Sequence, residues 1–92
     1  MKQERIRRRR FPLWDGSVLT VEYWLLTDWR EERLWYGIAV TDSRGHSARF
    51  PALSPSRWEA KRLLRRLAKG CVTTVNAADV VEDYLWERLA RV

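Results

Sequence analysis

The sequence predicts an α+β domain: a three-stranded antiparallel meander followed by two amphipathic helices that pack on one face of the sheet, in the order β-β-β-α-α. Two observations carry this prediction. The first half of the chain holds segments rich in β-branched and aromatic residues, separated by turn signals. The second half places apolar residues at spacings of three and four, as amphipathic helices do. At 92 residues the chain has room for one domain, which we place at 11–92 behind a basic N-terminal arm at 1–10.

Three strands are expected in the first half. Residues 17–27 (SVLTVEYWLLT) and 33–41 (RLWYGIAVT) contain no proline and alternate their side chains between two faces. A turn of Asp, Ser, Arg and Gly at 42–45 separates the second strand from a weaker third strand at 46–53. Pro51 indicates that this third strand lies at a sheet edge, because proline cannot donate a hydrogen bond to a neighbouring strand.

Two helices are expected in the second half. Ser54 is the predicted N-cap of the first helix, with Pro55 at its first position and Gly70 just past its end. Asn76 is the predicted cap of the second helix. The apolar stripes of the two helices are Ala60, Leu63, Leu64, Leu67, Ala68 and Cys71, and then Ala77, Val80, Val81, Tyr84, Leu85, Leu89 and Val92.

The two faces of the predicted sheet differ. The face expected to pack against the helices carries Leu19, Val21, Tyr23, Ile38, Val40 and Phe50. Trp24, Leu26 and Trp35 point to the other side, where two helices cannot cover them. An exposed face of this kind indicates a protein–protein or self-association surface, such as a homodimer interface. The alternative is that the N-terminal segment, with Phe11 and Trp14, folds back over it.

Positive charge is concentrated in two blocks of a chain whose formal net charge is +6. Residues 1–10 hold six basic residues and one acid, and residues 57–69 hold the same numbers. Such blocks attract polyanions, so we expect a small basic module that binds nucleic acid or an acidic protein partner. The cations expected to make these contacts are Arg7, Arg8, Arg9, Arg10, Arg57, Lys61, Arg62, Arg65, Arg66 and Lys69.

Plainer explanations exist for both blocks. The helix cations could form a solvated face, partly neutralised by the acidic start of the second helix at Asp79, Glu82 and Asp83. The arginine run could serve only to keep the domain soluble.

Catalytic, metal and membrane functions are not indicated. The single cysteine, Cys71, and the single histidine, His46, form the only nucleophile–base combination, and Cys71 continues an apolar stripe that favours burial. One cysteine excludes a disulfide within the chain and a cysteine-rich zinc site. No apolar run approaches the roughly 18 residues of a membrane span. We therefore expect a cytoplasmic protein that is not an enzyme, holds no cofactor and has no evident small-molecule substrate.

Two short motifs resemble a family of short uncharacterised bacterial proteins, found mainly in Firmicutes. In that family a strand ending in Tyr-Gly-aliphatic precedes a C-terminal helix of the pattern DVVEDxL. The matching positions are Tyr36, Gly37 and Ile38, then Asp79, Val80, Val81, Glu82, Asp83 and Leu85. The resemblance covers about residues 17–89, without the arginine-rich N-terminus, and it implies a domain of unknown function with no active site to transfer.

Overall fold

The computed structural model of the protein describes residues 2–90, with side chains as far as Arg88. Four strands precede two helices: β1 (Lys2–Pro12), β2 (Val18–Arg30), β3 (Arg33–Asp42), β4 (Ser47–Ser54), α1 (Arg57–Lys69) and α2 (Ala77–Ala90). The strands form one antiparallel sheet in the order β1-β2-β3-β4. The α+β class is confirmed, but the prediction of three strands was wrong: the sheet has four.

The additional strand is the arginine-rich N-terminal segment. β1 pairs with β2 along nearly its whole length, from Lys2 opposite Thr27 to Pro12 opposite Val18. As an edge strand, β1 keeps its charged side chains in water while its backbone bonds to a single neighbour. Edge strands that carry charge resist pairing with other chains, which reconciles four consecutive arginines with a strand conformation.

A bulge at Ile6 decides which arginines face the helices. The register shifts between Arg5 and Arg7, so Ile6 is an extra residue on β1. Ile6 is partly buried and packs against the core. Because residues directly opposite one another share a face, Arg7 and Arg9 lie on the helix side of the sheet.

The β2–β3 hairpin closes more tightly than its charged sequence suggested. β2 runs on to Arg30, and only Glu31 and Glu32 separate it from β3. These two residues have φ values of 51° and 63°, the left-handed pair that a two-residue type I′ turn requires.

β4 is irregular where it passes Gly37. One β3 residue, Gly37, faces three β4 residues between the Ile38–Phe50 and Tyr36–Ser54 pairs, and Ala52 takes a positive φ of 53°. A Cβ on Gly37 would lie against the Phe50 carbonyl oxygen and 2.7 Å from the Pro51 Cα. The β4 backbone therefore crosses directly over Gly37 on the face away from the helices.

The ends of α1 differ from the predicted ends. Ser56, not Ser54, is the N-cap: its hydroxyl accepts from the Glu59 amide at 3.2 Å. Ser54 instead donates its hydroxyl to Glu59 Oε2 at 2.7 Å and supports the cap. At the other end Cys71, not Gly70, adopts the left-handed conformation, with φ 55°.

The turn after α1 explains why Cys71 is exposed although burial was predicted. The Cys71 amide bonds to the Ala68 carbonyl and the Val72 amide to the Leu67 carbonyl, the paired bonds of a Schellman motif. The motif turns Val72 into the core and leaves Cys71 outside, so the apolar stripe ends at Ala68.

Both helices contribute to one core on the predicted face of the sheet. Fully buried sheet residues are Val21, Tyr23, Leu25, Ile38 and Val40, and the helices add Ala60, Leu63, Leu64, Leu67, Ala68, Ala77 and Val81. The Tyr23 hydroxyl donates to the Val72 carbonyl at 2.5 Å, which joins the sheet to the turn between the helices. The Leu89 side chain and Val92, both predicted members of the α2 stripe, lie outside the described part of the structure.

Candidate functional site

Two contacts hold β1 alongside α1. At the start of the helix, Arg57 Nη2 lies 2.9 Å from Glu4 Oε2 on β1. Past the end of the helix, Arg9 Nη2 donates to Cys71 Sγ at 3.4 Å. The strand and the helix therefore run side by side in the same direction. As a consequence, the two basic blocks, far apart in sequence, form one surface.

Only half of the arginine run belongs to this surface. Arg7 and Arg9 pair with Tyr23 and Val21, whose side chains are buried beneath the helices, so these two arginines lie on the α1 side. Arg8 and Arg10 pair with Glu22 and Thr20 and lie on the opposite face of the sheet. The structure thus divides the four predicted arginines into two pairs on different faces.

The α1 cations are arranged around an exposed tryptophan. Trp58, Arg62, Arg65 and Lys69 follow one another at spacings of four, three and four, which places them on one side of the helix. Trp58 is 65% exposed, and the Arg62 guanidinium lies 5.4 Å from its ring centroid. At this distance a cation–π interaction holds the two side chains together.

Two of the ten predicted cations are neutralised by carboxylates. Arg57 pairs with Glu4, and Arg66 meets both oxygens of Glu87 at 3.1 and 3.2 Å. The hydrogen bonds and charge of Glu87 raise the pKa of Arg66 above its ordinary value. Within the described residues the other eight make no ion pair: Arg7, Arg8, Arg9, Arg10, Lys61, Arg62, Arg65 and Lys69. Charge therefore accumulates on the shared β1–α1 surface, which we call the basic surface (Arg7, Arg9, Lys61, Arg62, Arg65 and Lys69).

The tryptophan face of the sheet is less open than the sequence suggested. Leu26 is only 1% exposed, because it pairs with Gly37, over which the β4 backbone crosses. Trp24 and Trp35 are half-buried, and the Trp24 indole donates to the Thr41 hydroxyl at 3.0 Å. The N-terminal segment does not fold back over this face: it extends the sheet sideways, and Trp14 is 99% exposed.

A cleft between the two helices has no counterpart in the sequence analysis. It encloses about 340 Å³ and is lined by Glu59, Arg62, Leu63, Arg65, Arg66, Lys69, Tyr84, Glu87 and Arg88. Tyr84 donates its hydroxyl to Glu59 Oε1 at 2.6 Å, which joins the helices at the bottom of the cleft. The periodic cations on α1 signalled one wall, but no pattern in the sequence places α2 opposite them.

Cysteine and histidine have separate partners. Cys71 contacts Arg9, whereas the His46 ring lies 3.2 Å from Asp42 Oδ2 in the β3–β4 turn. Among residues 2–90 no cluster of three or more His, Cys, Asp or Glu side chains is placed to hold a metal ion. In the same part of the chain, neither helix has the length and apolar character needed to cross a membrane.

The model of a family of unknown function, DUF6514, matches residues 3–87. The chain belongs to this family. The match begins inside β1, so in this family member the arginine-rich strand is part of the matched domain rather than an appendage to it. No curated protein and no solved structure matches the chain.

Proposed function

We propose that this protein is a non-enzymatic module that binds nucleic acid through the basic surface. One observation carries the proposal: the Arg57–Glu4 and Arg9–Cys71 contacts bring the two basic blocks together. Neutralisation of phosphates by lysine and arginine supplies most sequence-independent affinity for nucleic acid. Six cations without carboxylate partners in the described structure, on one surface of a small domain, provide such contacts.

The exposed tryptophan favours nucleic acid over an acidic protein. Trp58 lies among the α1 cations, with the Arg62 guanidinium over its ring. Proteins that bind single strands combine a positive surface with aromatic rings on which bases stack. An acidic protein surface would use the cations but would leave this ring without a matching group. The combination supports a single-stranded DNA or RNA partner.

Fluorescence anisotropy with a labelled single-stranded oligonucleotide tests the proposal. Affinity should fall steeply as salt rises from roughly 50 to 200 mM, because binding releases counterions. The double variant Arg65→Ala/Lys69→Ala should bind more weakly, and the slope of log affinity against log salt should fall by about two.

The matched control is Arg33→Ala/Arg44→Ala, which removes the same charge from exposed positions at the two hairpin turns of β3. It should leave the slope nearly unchanged. Absence of binding, or an affinity that does not change with salt, excludes nucleic acid as the partner. Equal losses in the two double variants would show that net charge alone, rather than the basic surface, attracts the oligonucleotide.

A further inference from the structure

The cleft between α1 and α2 has the dimensions of a small-molecule site. Its volume of about 340 Å³ falls within the range of about 300–1,000 Å³ that ligand pockets occupy. Small-molecule sites combine an apolar lining with a few placed polar groups, and helix–helix interfaces are common positions for them. The lining of this cleft has that division.

The bottom of the cleft is apolar and held in place. Leu63 is 3% exposed and belongs to the core. The Tyr84 ring is half-buried, and its hydroxyl bonds to Glu59, which also accepts from the Ser54 hydroxyl and faces the α1 N-cap. A ring fixed by its own hydrogen bond presents a flat face without first losing rotational freedom, so it suits an aromatic ligand.

The walls of the cleft are cationic. Five cations and two carboxylates line it, and both carboxylates are engaged, Glu59 with Tyr84 and Glu87 with Arg66. Three of the cations, Arg62, Arg65 and Lys69, make no ion pair within the described chain. This excess of positive charge over an apolar floor selects an anion that also has an apolar body.

We propose that the cleft binds a small organic phosphate bearing a flat ring, of the size of a nucleoside monophosphate. The phosphate lies among Arg62, Arg65 and Lys69, where guanidinium groups can engage its oxygens in pairs. The ring lies against Leu63 and Tyr84. Arg62 is preorganised for this role because Trp58 holds its guanidinium from the outer side.

This chemistry has two sources, a free nucleotide or the phosphorylated end of a nucleic-acid strand. The second source rests on the proposed function, whereas the first does not. In both cases the same residues recognise a phosphate together with a ring.

Titration with adenosine 5′-monophosphate, followed by two-dimensional amide NMR, tests the proposal. Saturable shifts are expected at Leu63 and Tyr84 as well as at Arg62 and Lys69. Adenosine alone and inorganic phosphate alone should each bind at least about tenfold more weakly, because each lacks one of the two recognised parts. Equal affinity for inorganic phosphate, or no saturable shift at millimolar nucleotide, overturns the proposal.

A pair of charge-matched variants separates the cleft from general attraction. Arg62→Gln should weaken nucleotide binding about tenfold, the effect of losing a charge-assisted hydrogen bond. Arg33→Gln removes the same charge from the far hairpin and should leave the affinity within about twofold. Equal losses in the two variants would show that the cleft does not hold the phosphate.

Competition with an oligonucleotide distinguishes the two sources. Displacement of the nucleotide by a 5′-phosphorylated strand, but not by its unphosphorylated form, identifies the strand end as the ligand. No displacement by either identifies the free nucleotide, and both results support the cleft. A protein that binds oligonucleotides while its cleft residues ignore the nucleotide would contradict this inference and leave the proposed function intact. Nucleotide binding without oligonucleotide binding would do the reverse.

Discussion

The Arg9 guanidinium lies 3.4 Å from the Cys71 sulfur, although the two residues are separated by 62 positions in the chain. The contact depends on two local features. The bulge at Ile6 brings Arg9 to the helix side of β1, and the Schellman turn after α1 leaves Cys71 on the outside. Together these features place the arginine-rich strand against the end of the basic helix, which is why the positive charges share one surface.

The division of the arginine run between two faces predicts an asymmetric response to mutation. Arg7→Ala/Arg9→Ala should weaken oligonucleotide binding and lower the salt slope by about two, because both residues lie on the α1 side. Arg8→Ala/Arg10→Ala removes the same charge from the same strand but from the opposite face, and its effect should be much smaller. Anisotropy titrations of the two double variants make the comparison. Equal effects would show that the strand binds as an unstructured basic tail.

Tyr23 predicts an alkaline limit to stability. Burial is the main reason that its pKa is raised from 10.0 to about 12; the nearby Cys71 raises it further and Arg9 opposes the shift. Because the folded protein holds the neutral phenol, this contribution to the free energy of unfolding is fully present below about pH 10. It is lost as the pH rises from about 10 to about 12. Urea denaturation across this pH range should show the loss.

Removal of the Tyr23 hydroxyl provides the matching test at neutral pH. Tyr23→Phe leaves the Val72 carbonyl without its donor and should lower the free energy of unfolding by about 1–2 kcal/mol. It should also remove the tyrosine that ionises near pH 12. Tyr36→Phe is the control, because within the described structure no hydrogen bond to the Tyr36 hydroxyl exists, and it should cost less. A Tyr23→Phe variant as stable as Tyr36→Phe would show that the bond to Val72 contributes nothing.

Asp42 predicts an acid limit. Its carboxylate accepts the amides of Arg44 and His46 at 2.9 and 3.0 Å and the Thr74 hydroxyl at 2.9 Å, so it joins the β3–β4 turn to the interhelix linker. Burial raises the pKa of Asp42, but these hydrogen bonds outweigh it, and the pKa lies below 3.8. The stabilisation is therefore present above about pH 3.8 and is lost as the pH falls through the lower pKa of the folded state.

Asp42→Asn should lower the free energy of unfolding at neutral pH by about 1–3 kcal/mol, because one carboxylate oxygen is replaced by a donor that faces other donors. The difference from the unmodified protein should shrink in acid, where Asp42 itself becomes protonated. Asp79→Asn, at an exposed position in the first turn of α2, is the control and should have a small effect at either pH. Chemical denaturation at neutral and acidic pH measures both. A difference that grows in acid would contradict the assigned direction of the pKa shift.

Periodicity in the sequence predicted most of the core. The alternation through Val21 and Tyr23 in β2 and through Ile38 and Val40 in β3 identified the face that the helices bury, and the spacing from Ala60 to Ala68 identified the buried side of α1. These patterns are reliable because burial of one face imposes the period of the element on its apolar residues. The basic surface was predicted in part, since charge blocks are visible without structure.

The remaining features depend on backbone pairing, which side-chain patterns report poorly. A run of arginines has no apolar alternation, so β1 appeared as a solvated arm; its strand conformation comes from hydrogen bonds to β2. The bulge at Ile6, which assigns Arg7 and Arg9 to the functional face, is a one-residue register change. Ser54 and Ser56 both suit an N-cap by type, and only the fold shows that Ser54 instead supports Glu59.

Gly37 is the residue on which the closed part of the tryptophan face depends. Its missing side chain lets the β4 backbone cross the sheet, and a Cβ there would lie 2.7 Å from the Pro51 Cα and 2.9 Å from the Ala52 nitrogen. Both atoms belong to the backbone, so β4 cannot yield by a rotamer change. Gly37→Ala should therefore lower the free energy of unfolding by about 3 kcal/mol or more and expose Leu26. Denaturant unfolding measures the first effect, and faster amide exchange in β2 and β4 reports the second.

Gly70→Ala is the matched control for this substitution. Gly70 has a φ of −82°, which alanine adopts readily, and its nearest neighbour to a new Cβ is the Arg66 carbonyl oxygen at 3.3 Å. The change should cost no more than about 1 kcal/mol, since the left-handed residue of this turn is Cys71. If Gly37→Ala were as mild as Gly70→Ala, the β4 backbone would not rest on Gly37. The burial of Leu26 would then need another cause, and the tryptophan face would return as a surface for self-association.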